Sequence, residues 1–123
     1  MALVLCTGVD KAVLATRRLM LEAAGHTVVT VLDETSLISA CKKQSFDIAV
    51  IGQTVSRNVK HRIAMLVKQH CPEVKILELY PPYTGKVLDD ADMWLVAPAE
   101  VPEDLVARVN ELAEKGEQDR ARA

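Results

Sequence analysis

The stretch Phe46-Asp47-Ile48-Ala49-Val50-Ile51-Gly52 contains a short apolar run that ends at a glycine. A continuous apolar run of this length is typical of a strand that is buried on both faces of a parallel sheet. Arg57 to His70 follow with apolar residues at helical spacing, and Pro72 ends this segment. The predicted inward face of this helix consists of Val59, Ile63, Leu66 and Val67. The stretch therefore predicts a buried strand followed by a helix that packs on the sheet.

The same order of apolar run and amphipathic segment repeats on both sides of this unit. It predicts five strands, at residues 2–6, 27–32, 46–51, 74–79 and 93–96. It predicts helices at residues 11–24 and 57–70. A further helix is predicted to begin at Asp33 or Thr35, and the last helix at Val101-Pro102-Glu103-Asp104. Parallel neighbours need crossover connections, which these helices provide. We therefore predict an α/β fold, a flavodoxin-like three-layer sandwich whose five parallel strands lie in the order 2-1-3-4-5.

The connection between the fourth and fifth predicted strands is too short for an ordinary crossover helix. Only Pro81 to Asp92 are available, and Pro81-Pro82-Tyr83-Thr84-Gly85 uses five of these residues for non-helical chain. We expect the fourth helix to be shortened or missing, so that a loop or another protein chain covers the sheet there. Residues 1–115 are predicted to form one domain, and the polar residues 116–123 a flexible C-terminal tail.

Composition excludes several classes of function. Lys and Arg number 15 against 17 Asp and Glu, with no long run of one sign, so no nucleic-acid partner is expected. No apolar run approaches the roughly 18 residues of a membrane span, and we expect a cytoplasmic protein without a membrane partner. Cys6, Cys41 and Cys71 are odd in number and form no CxxC pair, which predicts reduced, buried thiols and neither disulfide nor zinc.

Four stretches, taken in their order and spacing, resemble response-regulator receiver domains of two-component signalling, the CheY-like superfamily. They are residues 16–28, 46–51, 91–98 and 102–109, and the resemblance extends along nearly the whole chain. The resemblance implies a signalling domain and supports the sheet order given above. It also implies a phosphoryl-receiving site at the carboxyl ends of strands one and three, where the family uses three carboxylates and Mg²⁺.

The sequence departs from the family pattern at this site. The family's acidic pair falls on Gly8 and Val9, and only the following acid is matched, by Asp10. The phosphorylated aspartate falls on Gly52, which has no side-chain oxygen to form an acyl phosphate. We therefore expect a degenerate site with no metal and no cofactor, and we expect Asp10 to cap the first helix.

The two remaining positions of the family site are also replaced. The family's hydroxyl residue aligns with Tyr80, and its lysine before proline aligns with Ala97. Pro98 is kept, and a peptide bond before proline can adopt the cis form. Trp94 falls where the family carries an aromatic residue that reports activation, and we expect it to pack at the sheet edge. Asp47 cannot substitute as acceptor, because five strand residues place it about 16 Å from the site.

These departures favour a non-enzymatic, phosphorylation-independent signalling module that acts through protein–protein interaction. The partner would be a signalling protein or a second copy of this chain. The candidate interaction face consists of Pro81, Pro82, Tyr83, Trp94 and Leu105. The sequence does not distinguish a separate protein from one module of a larger regulator.

An alternative function is phosphoryl-transfer or phosphatase chemistry on Cys6. Val4-Leu5-Cys6-Thr7-Gly8 resembles the strand-to-loop start of small cysteine phosphatases and of phosphocysteine carriers of sugar transport. The phosphatase pattern needs an arginine six residues after the cysteine, and that position is Ala12. The histidines do not suggest a metal site, and we expect all three to be exposed polar residues: His26, His61 and His70.

Overall fold

The structure is a computed structural model that describes residues 1–98 and 103–122. In chain order its elements are β1 (Leu3–Thr7), α1 (Lys11–Ala23), β2 (Thr27–Val31), α2 (Glu34–Lys43), β3 (Ile48–Ile51), α3 (Arg57–His70), β4 (Lys75–Tyr80), β5 (Met93–Val96) and α4 (Glu103–Arg122). The strands and helices fall where the hydrophobic pattern predicted them, with ends that differ by a few residues. The predicted start of the last helix at Val101 and Pro102 lies outside the described residues.

All four strand pairings are parallel, and the sheet order is β2-β1-β3-β4-β5. The predicted flavodoxin-like topology is therefore confirmed. Cys6 of β1 pairs with Val50 of β3, which in turn pairs with Leu77 of β4. This register brings the carboxyl ends of β1 and β3 side by side, which is where the sequence placed the candidate site.

The core has two layers, one on each face of the sheet. On one face, Leu14 and Leu21 of α1 and Val109 of α4 pack on Ile48 and Val50. Residues of α2, α3 and the β4–β5 connection pack on the opposite face. Each fully buried leucine or isoleucine contributes about 1.5–3 kcal/mol, so these two layers are the main source of stability.

Residues 81–92 connect β4 to β5 without a helix, as the short connection predicted. Val87, Leu88 and Ala91 are buried in the same core layer as α2 and α3. The connection itself therefore covers the part of the sheet where a fourth crossover helix would pack. Within the described residues, no helix has both the length and the apolar composition that crossing a bilayer requires.

The last helix is longer than predicted. It continues past residue 115, through Gly116 to Arg122, so most of the segment predicted as a flexible tail of residues 116–123 is helical in the structure. Asp119 pairs with Lys75 at the start of β4 (2.7 Å), and Arg120 pairs with Asp47 before β3 (3.1 Å). These contacts hold a polar segment on the amino edge of the sheet, a possibility that its composition alone did not indicate.

Two predictions about individual side chains were wrong. Val59 lies on the exposed side of α3, and Lys60 takes the inward position instead. His26 is buried, and both of its ring nitrogens have partners. Its Nδ1 accepts from the Ala2 N–H (3.1 Å), and its Nε2 faces Asn110 Oδ1 (2.7 Å). This pattern requires the Nε2–H tautomer, which donates to Asn110 of α4, so that His26 links Ala2, the residue before β1, to α4.

Candidate functional site

Gly8 and Gly52 meet at the carboxyl edge of the sheet, directly after β1 and β3. The Gly52 N–H donates to the Thr7 carbonyl (3.1 Å), and both glycines are buried. A Cβ built on Gly52 would lie 3.6 Å from the Gly8 Cα. The structure therefore brings together the two positions at which the family pattern requires carboxylates.

The space around these glycines is filled by other parts of the chain. A Cβ on Gly52 would lie 3.0 Å from the Thr7 carbonyl oxygen and 3.4 Å from Arg17 Nη1, and a Cβ on Gly8 would lie 3.3 Å from Leu14. The contacts at 3.0 and 3.3 Å are tighter than a Cβ atom normally makes, so the neighbouring atoms would have to shift by a few tenths of an ångström. The edge thus offers neither a side-chain oxygen at position 52 nor room for one without rearrangement.

Asp10 provides a carboxylate near this edge, and one of its two oxygens caps the first helix. One Asp10 oxygen accepts from the Ala12 N–H (2.9 Å) and the Val13 N–H (3.3 Å), which confirms the predicted helix cap. Val9 has no polar side-chain atom and is exposed. Across residues 1–98 and 103–122, no cluster of three His, Cys, Asp or Glu side chains is arranged to hold a metal ion.

Tyr80 and Ala97 lie next to each other at the ends of β4 and β5. The Ala97 N–H donates to the Tyr80 carbonyl (2.8 Å), and the following Ala97–Pro98 peptide is cis. Ala97 is buried and has no charge to offer, whereas the family pattern has a lysine there. These two positions are near the edge, but they add no hydroxyl–lysine pair to it.

Arg17 is the cation that sequence reasoning missed at this edge. Its Nη2 donates to Gln53 Oε1, and its Nη1 lies beside Gly52. Burial lowers the pKa of the guanidinium, while Cys6 and Asp10 oppose that change. The missed signal is the spacing of Arg17 from Leu14 and Leu21, both buried, which places all three on the inward face of α1.

Cys6 lies in the interior of β1 and is fully buried. Burial raises the pKa of its thiol to about 12, with a smaller opposing effect from Arg17. A thiolate is the reactive form of cysteine, so this thiol is inert near neutral pH. The alternative of phosphoryl chemistry on Cys6 therefore has no structural support, whereas the prediction of free, buried thiols is confirmed.

A second set of missed residues lies on the opposite face, below the β4–β5 connection. Lys60 Nζ donates to Glu78 Oε2 and to the Leu79 carbonyl, both at 2.7 Å. The exposed fractions of the Lys60 and Glu78 side chains are 1% and 0%. Glu78 Oε1 also accepts from the backbone N–H groups of Val87 (3.0 Å) and Leu88 (2.7 Å). A buried carboxylate thus ties the connection to β4.

The candidate interaction face is only partly a surface. Pro81 is buried, and Leu105 is buried in the core layer on the other side of the sheet from Trp94. Trp94 is half-buried, with its Nε1–H donating to the Leu88 carbonyl (2.9 Å). Pro82 and Tyr83 are exposed. The face proposed from sequence therefore reduces to Pro82, Tyr83 and the accessible part of Trp94.

Comparison with protein-family models and with curated protein sequences finds no match. Solved structures do match. A signal receiver domain of a modulated diguanylate cyclase from Desulfovibrio desulfuricans G20 is 16% identical, with a TM-score of 0.75 over 97% of this chain and 98% of that chain. The chemotaxis response regulator CheY4 of Vibrio cholerae is 22% identical, with a TM-score of 0.75 over 91% and 98% of the two chains. NtrX from Brucella abortus is 14% identical, with a TM-score of 0.81 over 98% of this chain, which spans 28% of that one. The chain therefore has the fold of response-regulator receiver domains.

Proposed function

We propose that this chain is a receiver-like signalling module that works without phosphorylation, through protein–protein interaction in the cytoplasm. The observation that supports this proposal is the composition of the edge where receivers carry their phosphorylated aspartate. Position 52 is a glycine there, and the Arg17 guanidinium lies beside it. An acyl phosphate needs a carboxylate nucleophile, which glycine lacks. A hard divalent cation needs anionic oxygen ligands, and a fixed guanidinium beside the site repels it.

The exposed turn after β4 is the surface that supports a role in protein interaction. The Thr84 and Gly85 N–H groups both donate to the Pro81 carbonyl (3.2 and 3.1 Å), and Gly85 has a φ of 74°, which favours glycine. This tight turn presents Tyr83, whose side chain is 86% exposed. A tyrosine on a rigid turn loses little conformational entropy on binding, and tyrosine is enriched at interfaces.

Incubation with acetyl phosphate and Mg²⁺, followed by intact-mass measurement, tests whether the domain accepts a phosphoryl group. A receiver domain with all its acidic residues, treated in parallel, shows that the reagent is active. We expect the control to gain one phosphoryl group and this chain to gain none. A stable phosphoryl group on an aspartate of this chain would contradict the proposal.

The interaction is tested separately by placing a photo-crosslinking amino acid at Tyr83 in cells of the native host. The matched control is the same substitution at Leu19, which is 69% exposed on α1, an element that does not contribute to the Tyr83 turn. We expect an adduct with a protein, either another signalling protein or a second copy, from position 83 and not from position 19. Identical adducts from both positions, or none from position 83, would remove the turn from the proposal.

A further inference from the structure

A groove with a volume of about 430 Å³ runs between α1 and the first turn of α4 at the carboxyl edge of the sheet. Leu79 and Leu95, at the ends of β4 and β5, form its floor, and Met20 and Leu105 contribute apolar walls. Volumes from about 300 to 1,000 Å³ with mainly apolar lining are usual for small-molecule sites. The groove therefore has the size and character of a ligand site.

Arg17 and Gln53 add polar groups to this apolar groove. Gln53 follows β3, whereas Leu79 and Leu95 lie on β4 and β5, so sheet order places the polar groups on one side and the apolar floor on the other. A guanidinium has five N–H donors in a planar fork that fits a carboxylate with two parallel hydrogen bonds. The groove thus combines a cationic part with an apolar part.

Within residues 1–98 and 103–122, no ion pair balances the charge of Arg17. Its hydrogen-bond partner is the neutral amide oxygen of Gln53, and no carboxylate in the described parts of the chain forms an ion pair with it. By contrast, Lys60 is buried against a carboxylate of its own. A cation that is partly removed from water gains from an anionic partner, because its lost hydration is otherwise uncompensated.

Asp10 moderates this positive charge without neutralising it. The charge of Asp10 opposes the fall that burial causes in the pKa of Arg17. The Asp10 carboxylate, however, accepts the Ala12 and Val13 N–H groups at the start of α1. Among the described residues that line the groove, Arg17 is the one charged side chain, and a carboxylate carries the single charge that matches it.

We propose that this groove binds a small organic acid, with its carboxylate on Arg17 and its apolar body against Leu79, Leu95 and Leu105. The opposite charges and the apolar lining together select this class of ligand. The inference does not rest on the proposed interaction function, because it concerns another face of the molecule. The site lies beside Gly52, at the edge where receivers accept a phosphoryl group.

Titration of the ¹⁵N-labelled full chain with hexanoate, followed by two-dimensional NMR, tests this inference. Hexanamide, which has the same tail without the charge, is the matched ligand control. We expect shifts at residues that line the groove and an affinity for hexanoate about tenfold or more above that for hexanamide, the usual range for hydrogen bonds to a charged group. Equal affinities, or shifts that map elsewhere, would overturn the proposal.

Two variants locate the charge that is responsible. Arg17→Gln is expected to remove the preference for hexanoate, whereas Arg18→Gln, one residue along α1 and paired with Glu22 on the surface, is expected to retain it. If both variants keep the preference, Arg17 is not the anion site and the proposal fails. The comparison of hexanoate with hexanamide on the unaltered chain remains decisive even if Arg17→Gln does not fold.

Discussion

Replacing Lys60 with methionine removes the charge that faces Glu78 and keeps a side chain of similar length. Both side chains are essentially inaccessible to water, at 1% and 0% exposure, and their charged atoms lie 2.7 Å apart. In the variant, Glu78 keeps its bonds to the Val87 and Leu88 N–H groups but has no cation. The substitution therefore leaves a buried carboxylate without its counter-charge.

The expected cost follows from this burial. Removing one partner of a buried ion pair costs about 3–5 kcal/mol, since solvent cannot screen the remaining charge. The Leu79 carbonyl also loses the hydrogen bond that Lys60 donates. Domains of this size are stable by about 5–15 kcal/mol, so Lys60→Met should remove a large fraction of the free energy of unfolding.

Urea unfolding monitored by circular dichroism measures this change. We expect the midpoint of Lys60→Met to fall by at least about 1 M, given slopes of about 1–3 kcal/mol per M. Lys68→Met is the matched control, because Lys68 lies on the same helix and pairs with Asp90 at the surface. Exposed pairs contribute about 0–1 kcal/mol, so the control should change the midpoint little.

A double-variant cycle decides whether the two charges act as a pair. Glu78→Gln retains an oxygen that can accept the Val87 and Leu88 N–H groups but removes the negative charge. The double variant Lys60→Met, Glu78→Gln has no buried charge left, so its destabilisation should be well below the sum of the single effects. A loss below about 1 kcal/mol for Lys60→Met, or additive single effects, would refute the reasoning.

Three further predictions follow from the same structure. Gly52→Ala should lower the free energy of unfolding by about 1–3 kcal/mol, because its Cβ would contact the Thr7 carbonyl. Gly116→Ala, in the open part of α4, should instead raise the free energy of unfolding by about 0.5–1 kcal/mol. Urea unfolding of the two variants measures these opposite changes. Cys6 should resist iodoacetamide in the folded protein at pH 8 and react in urea, as peptide mapping by mass spectrometry would show; rapid native labelling would contradict its burial. Hydrogen bonds from the Ser36 backbone and hydroxyl lower the pKa of Asp33 below its ordinary 3.8, so its stabilisation is complete above that pH and is lost as pH falls through the lower, folded-state pKa. Thermal unfolding from pH 5 to pH 2 should therefore be less acid-sensitive in Asp33→Ala, and an unchanged profile would exclude this contribution.

The sheet and its order were predictable because the apolar runs are short, regularly spaced and separated by amphipathic segments. The absence of a crossover helix before β5 was also predictable, since Pro81 to Asp92 could not hold one. The sequence left two coverings open, a loop or another protein chain, and it did not show that the loop is tied down by Glu78, which in the sequence is only a single acid within a predicted buried strand. Its bonds to Val87 and Leu88 depend on how the chain returns, which no local pattern specifies.

At the candidate edge too, some features were predictable from the sequence and others depend on tertiary contacts. Gly8 and Gly52 were predicted to meet, because the ends of parallel neighbours coincide, and the Asp10 cap follows from local sequence. Arg17 was overlooked, since charged residues on a helix are usually solvated, although its spacing from buried leucines pointed inward. That it meets Gln53 depends on the packing of α1 against the end of β3, which is a tertiary contact.

The close packing at Gly52 determines what an acidic side chain introduced at this position would meet. An aspartate introduced there would place its first side-chain carbon against the Thr7 carbonyl and its negative charge beside a fixed guanidinium, so it would form an internal ion pair before it met any phosphodonor. A single Gly52→Asp substitution would therefore supply a carboxylate that Arg17 already holds, without the further acidic side chains that a Mg²⁺ ion needs as ligands.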